Sequence, residues 1–222
     1  MASFKARRTI FVIVLLILSA VPLYGASIEL PTLGQVMGTE LVPAASPELK
    51  QLAVKGRAPK TGYERSNFGD GWGSIMGCDT RNVILVRDLR DVTVDDRCRV
   101  LTGKLDDPYT GKIIDFQRGE TTSDDVQIDH VVALSNAWQT GAQVMNEYTR
   151  ISFANDPLNL LAVDGTANEQ KSDGDAATWL PPNKSFRCEY VKRQISVKKK
   201  YELWVTPAER DAMARVLNDC GN

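Results

Sequence analysis

The chain has 222 residues, 43% hydrophobic and 25% charged, with 27 Lys and Arg against 28 Asp and Glu for a formal charge of −1. That balance excludes a protein that binds nucleic acid through a globally basic surface. A single histidine excludes zinc-peptidase chemistry, whose motif needs two, and four cysteines with no Cys-x-x-Cys spacing argue against a zinc knuckle.

In chain order, Lys5, Arg7 and Arg8 precede an apolar run at residues 10–18 that continues through Ala20 and Val21 to Pro22. A charged start followed by an apolar run too short for a comfortable span reads as a secretory signal peptide. The expected signal covers residues 1–26, with cleavage near Gly25 or Ala26, although Tyr24 departs from an Ala-x-Ala site. An uncleaved segment would leave a membrane tether; cleavage would leave no stable membrane partner. Loss of the three cations takes the formal charge from −1 to −4. Residues 27–47 contain Pro31, Gly34, Gly38, Pro43 and Pro47 with little periodicity and read as a flexible linker. Residues 48–222 suit one domain with its own core, without internal repeats, and a monomer is expected.

Within that domain, hydrophobic periodicity predicts helices over 82–89, 134–140 and 144–153, and strands over 98–103, 112–116, 126–131 and 159–163. The class is α+β. The last helix is the best marked: Thr206, Pro207 and Glu209 form a capping box, and Met213, Val216 and Leu217 form an apolar stripe destined for the core. Gly69, Gly71 and Gly73 around Trp72 lack the strand-then-helix setting of a phosphate loop and read as a turn. Trp138 and Tyr148 in the insert 135–157, and Trp179, read as packing residues.

Cys78, Cys98, Cys188 and Cys220 form an even set in an exported chain, which argues for disulfides. Three connectivities are possible. Cys78–Cys98 with Cys188–Cys220 is preferred because each closes a modest loop, worth about 3 kcal/mol on the chain-entropy account.

His130 is the lone imidazole, so any chemistry needing one near neutral pH must use it. It follows Asp129 in the strand-like stretch Val126-Gln127-Ile128-Asp129-His130-Val131-Val132. Some thirty residues on come Leu158-Asn159-Leu160-Leu161-Ala162-Val163, then Ala167-Asn168-Glu169-Gln170-Lys171-Ser172-Asp173. An Asp-His on one strand, an Asn on a second and an Asn on the following helix resemble the ββα-metal (His-Me) finger of HNH endonucleases. The chain is similar in particular to small secreted bacterial HNH proteins of the DUF1524-like group. It shares their blocks Tyr63-Glu64-Arg65 through Phe68-Gly69, Gly77-Cys78-Asp79-Thr80-Arg81-Asn82, Arg87-Asp88-Leu89, Asp107-Pro108-Tyr109-Thr110-Gly111 and Trp179-Leu180-Pro181-Pro182. Asn168 stands where many HNH proteins carry a third His. The resemblance implies a single α+β domain built around the finger, with additional helices and short antiparallel strands.

Phosphodiester cleavage needs a base for water and a stabiliser for charge on the phosphate. Asp129 and Asn168 offer oxygen ligands, which suit a hard ion, Mg²⁺ or Mn²⁺. His130, on the opposite strand face, is the expected general base. By resemblance Asn159 belongs to the catalytic group as the residue that orients His130, by tying down the loop between the finger strands. Lys171 has two readings, a phosphate contact or a partner for Asp173 or Asp175. Asp124 and Asp125 read as turn residues. The basic stretch holding Lys184, Arg187, Lys192, Arg193, Lys198, Lys199 and Lys200 is either a solvated helix face or a strip that receives phosphates, with Lys192, Arg193 and Lys198 as its core. The expected function is a secreted, metal-dependent nuclease of low sequence specificity with DNA as partner. The alternative is a catalytically silent secreted binding or toxin-associated module that keeps the finger.

Overall fold

In the computed structural model, residues 46–220 are described. The expected signal peptide and all but the last two residues of the linker lie outside them. The class is mixed α+β, as the periodicity implies.

Among the described residues, three antiparallel sheets order the strands. β1 (Ser74–Ile75) and β2 (Cys78–Asp79) form a short hairpin, and β3 (Leu89–Val94), β4 (Val100–Asp106) and β5 (Ile113–Gln117) form a meander. β6 (Val126–His130) pairs with β7 (Leu160–Asp164) in the register Val126↔Asp164 to His130↔Leu160. Among the described residues, six α-helices complete the fold: α1 (Thr80–Asp88), α2 (Leu134–Gln139), α3 (Glu147–Ala154), α4 (Gly165–Lys171), α5 (Arg187–Lys200) and α6 (Pro207–Asn218).

The β6–β7 hairpin is the centre of the domain because both of its faces are covered. Side chains alternate along a strand, so Val126, Ile128, Leu160 and Ala162 point one way, onto Ile84, Leu85 and Phe116. Leu161 and Val163 point the other way, onto Val191, Ile195 and Met213. Burying each such side chain contributes about 1.5–3 kcal/mol. The near-continuous apolar run of β7 is the signature of a strand covered on both faces. The same alternation sends Asp129 and His130 to opposite faces.

Helix starts follow local chemistry. The Asp79 side chain accepts from Asn82 N at 2.8 Å to open α1, and Asn146 accepts from Thr149 N at 2.8 Å to open α3. The predicted capping box of α6 is present, with Thr206 Oγ1 accepting from Glu209 N at 3.1 Å. Asp164 caps α4 by accepting from Ala167 N at 2.7 Å. Gly165, the first residue of α4, packs so tightly on the turn at Ser123–Asp125 that an added Cβ would lie 2.0 Å from the Asp124 carbonyl oxygen. Disulfides join Cys78 to Cys98 and Cys188 to Cys220, the preferred pairing. They tie β2 to the β3–β4 turn, and the start of α5 to the end of α6.

Two expectations need correction. β3 was not anticipated from its mixed charge and apolar pattern. Tyr148 is 80% exposed, unlike Trp138, which meets Phe68 and Tyr63 edge-on, and Trp179, which meets Tyr109 and Tyr190. Tyr148 sits in the first turn of α3, on the face turned away from Phe153 and Ala154.

Candidate active site

His130 ends β6 and is buried. Its Nε2 lies 2.9 Å from the Ala154 carbonyl oxygen at the end of α3. A carbonyl can only accept, so Nε2 carries the proton and Nδ1 is left as the basic atom of the neutral ring. The Trp72 indole stacks on the imidazole, 5.8 Å between ring centres and 10° from parallel. Burial pushes the His130 pKa down to about 4, against opposing pulls from the Ala154 carbonyl and Asp129. The ring is therefore neutral at physiological pH. The sequence reading of the Gly69–Gly73 region as a turn missed this role for Trp72, because nothing local links residue 72 to residue 130.

Asp129 faces the other way and is equally enclosed. Tyr109 Oη donates to Asp129 Oδ2 at 2.5 Å, and Lys171 Nζ reaches Oδ1 at 2.8 Å. Burial and the adjacent carboxylate hold the Tyr109 phenol well above its usual pKa, so it stays protonated and donates. Lys171 Nζ also donates to the His130 carbonyl at 2.9 Å, so one ammonium fastens the end of α4 to the end of β6. Both readings of Lys171 are thus corrected. The side chain is fully buried and its partner is Asp129, whereas Asp173 pairs with Lys60 at 3.2 Å and Asp175 with Arg57 at 2.5 Å.

Asn159 bridges both ends of the finger loop. Its Oδ1 accepts from Val132 N at 2.8 Å and its Nδ2 donates to Val132 O at 3.3 Å, so the backbone just after His130 is pinned to the start of β7. Arg193 and Arg87 reinforce the same loop: both reach the Pro157 and Leu160 carbonyls, and Arg193 Nε also donates to Leu158 O at 2.8 Å.

Asn168 sits on α4 with Nδ2 donating to Gln127 Oε1 at 2.8 Å, which fixes the amide and leaves its oxygen without a protein donor among the described contacts. Asp129, His130 and Asn168 line one cavity of about 450 Å³. Each Asp129 oxygen accepts from one donor among the described residues, and a carboxylate oxygen can accept two. The donor set is therefore oxygen-rich and sparse, with the Asp129 charge shared with Lys171, and its oxygen chemistry fits a hard divalent cation that keeps most of its waters. A second cavity of about 270 Å³, walled by Trp72, Phe68 and Arg65, meets the first at His130.

The expected phosphate strip is broken at two of its three core positions. Lys198 is fully buried and pairs with Glu209 at 2.9 Å, with further bonds to Asn136 Oδ1 and the Trp204 carbonyl. Burial lowers its pKa against the pull of Glu209. Arg193 is engaged by loop carbonyls, and Lys200 by Asp156 at 2.6 Å. Lys192 alone of the three core candidates is exposed. Helical periodicity is the reason: Tyr190, Val191, Gln194, Ile195, Val197 and Lys198 share the covered side of α5.

Residues 79–216 match the family described as the C-terminal domain of GmrSD restriction endonucleases. That span runs from the cap of α1 into α6 and contains the whole finger. The chain is also 38% identical over 209 residues to a protein of Arthroderma benhamiae (strain ATCC MYA-4681 / CBS 112371) named as an uncharacterized secreted protein, an alignment that covers 93% of this chain and 98% of the relative. The relative is fungal, so the bacterial grouping expected above rests on the motif resemblance alone.

Proposed function

The chain belongs to the family of GmrSD restriction endonuclease C-terminal domains, and from that membership we propose that it is an exported, metal-dependent nuclease of the HNH type that hydrolyses phosphodiester bonds in DNA with little sequence preference. The observation that carries this reading is His130: neutral, with Nε2 held by a carbonyl, Nδ1 basic, and a wall of the cavity that also contains Asp129 and Asn168. Nδ1 takes a proton from water, the hydroxide attacks phosphorus, and the bond to the 3′ oxygen breaks as that oxygen leaves and is protonated from solvent. Trp72 and the Ala154 carbonyl fix the plane of the ring, and Asn159 fixes the backbone that presents it. Asp129 and Asn168 would hold Mg²⁺ or Mn²⁺, which supplies Lewis-acid stabilisation of the phosphate and the leaving oxygen. Tyr109 and Lys171 orient the Asp129 carboxylate. Export is supported by the secreted relative and by the signal-like residues 1–26.

The test is to incubate purified protein with supercoiled plasmid, linear duplex, single strands and RNA, with and without Mg²⁺ or Mn²⁺. Metal-dependent nicking of plasmid, silenced by chelator, is the expected result. Full activity in excess EDTA would overturn the metal assignment. No cleavage of any substrate would favour the silent finger module.

A further inference from the structure

The nuclease reading leaves open how the strand is held, since the basic face of α5 is largely engaged in the protein's own contacts. We propose that Arg65 is the residue that grips a backbone phosphate of the nucleic acid beside His130, an inference that rests on the nuclease reading. Among the described residues, three line both cavities, Arg65, His130 and Leu134, and Arg65 is the one cation of the three. Its side chain is exposed, and among the described residues its guanidinium has neither an ion pair nor a hydrogen-bond partner. Other cations around the cavity are engaged: Lys60 with Asp173, Lys171 with Asp129. An incoming phosphodiester therefore meets one free positive charge at the junction that contains the base.

The backbone under that charge is rigid. Arg65 opens the 3₁₀ turn Arg65–Phe68, whose Phe68 is buried against Phe153 and Trp138. Asn67 O accepts from Arg150 Nε at 2.8 Å, and Gly69 N donates to Ser66 O at 3.0 Å. A fixed stem with a free, planar, permanently charged fork is the arrangement that binds a phosphate through two parallel hydrogen bonds. Lysine cannot reproduce the fork, though it keeps the charge.

The experiment compares wild type, Arg65→Gln, Arg65→Lys and, as a surface control, Lys192→Gln. Duplex binding is followed by fluorescence anisotropy in EDTA across a salt titration, and cleavage of the same duplex is followed with Mg²⁺. Arg65→Gln should weaken duplex binding roughly 10-fold to 100-fold and raise KM by a comparable factor, in line with loss of a charged hydrogen-bonded contact. Its slope of log affinity against log salt should fall by about 0.9, one phosphate contact. Arg65→Lys should keep the slope while losing part of the affinity, a split that mere structural damage would not give, and Lys192→Gln should match wild type. Cleavage by wild type with an Arg65→Gln variant identical in KM and salt slope would overturn this proposal and leave the nuclease reading standing. Wild type that binds duplex through Arg65 yet never cleaves would do the reverse. Wild type that binds no nucleic acid would overturn both.

Discussion

His130 combines a low pKa with a fixed tautomer, and both come from its surroundings rather than from its own chemistry. A base with a pKa of about 4 is available at every pH above that, so the acid limb of cleavage should fall near pH 4 instead of near 6.5. Trp72→Ala opens one ring face to water, which removes part of the burial effect and should move that limb upward toward 6.5, read from a pH–kcat/KM profile; an unmoved limb would dissociate the stacking from the pKa. Stability carries the same sign. The unfolded chain protonates His130 at about 6.5 and the folded one at about 4, so its contribution is intact above 6.5 and declines as pH falls toward 4, by about 3 kcal/mol in all. Lys171 acts at the same scale. Lys171→Met strands the Asp129 carboxylate in the interior and should cost about 3–5 kcal/mol in urea unfolding, much of it recovered in the double variant with Asp129→Asn. No recovery would mean that Lys171 stabilises by packing alone. The places of residues 129, 130, 159 and 168 could be read from the sequence because an Asp-His pair and two asparagines fall at the end of β6, just before β7 and on α4. Tyr109 and Lys171 were not legible as partners of Asp129, because their meeting with it is made by tertiary packing across 20 and 42 positions.

Among elements, the turn from β7 into α4 is the joint that sets Asn168 relative to His130. Gly165→Ala would press a methyl into the Asp124 carbonyl, so the start of α4 must shift; a stability loss of about 1–3 kcal/mol is expected, with a higher Mg²⁺ requirement for cleavage because Asn168 moves with the helix. A variant with the parent's metal titration would show that the joint absorbs the methyl elsewhere. The paired finger strands were predictable from their apolar runs and the short 3₁₀ turns were not, since those lack any periodicity to detect. The misreading of α5 has a different cause. Its six basic positions signal charge, but a helix of period 3.6 distributes them around the axis, and Lys198 falls on the side facing α6. Lys198→Met should therefore destabilise by about 3–5 kcal/mol through the orphaned Glu209, and leave KM for duplex unchanged in whatever fraction stays folded. A raised KM without loss of stability would restore the strip.

At the scale of the molecule, the finger hairpin is clamped between two hydrophobic clusters and the two disulfides fasten helices and turns around it, so the site is built on elements that cannot drift independently. Composition and spacing made the α+β class and the disulfide pairing legible. The two cavities meeting at His130 were not, since a cavity is a property of how distant turns such as Arg65–Phe68 come to rest on the finger. The account turns on one base in that joint. Its most direct test is the initial rate of plasmid nicking by wild type and by His130→Ala under saturating Mg²⁺, with circular dichroism and disulfide content matched between the two. A drop of about 10²–10⁴-fold in the variant is predicted; nicking at the wild-type rate would contradict the assignment of His130 as the general base.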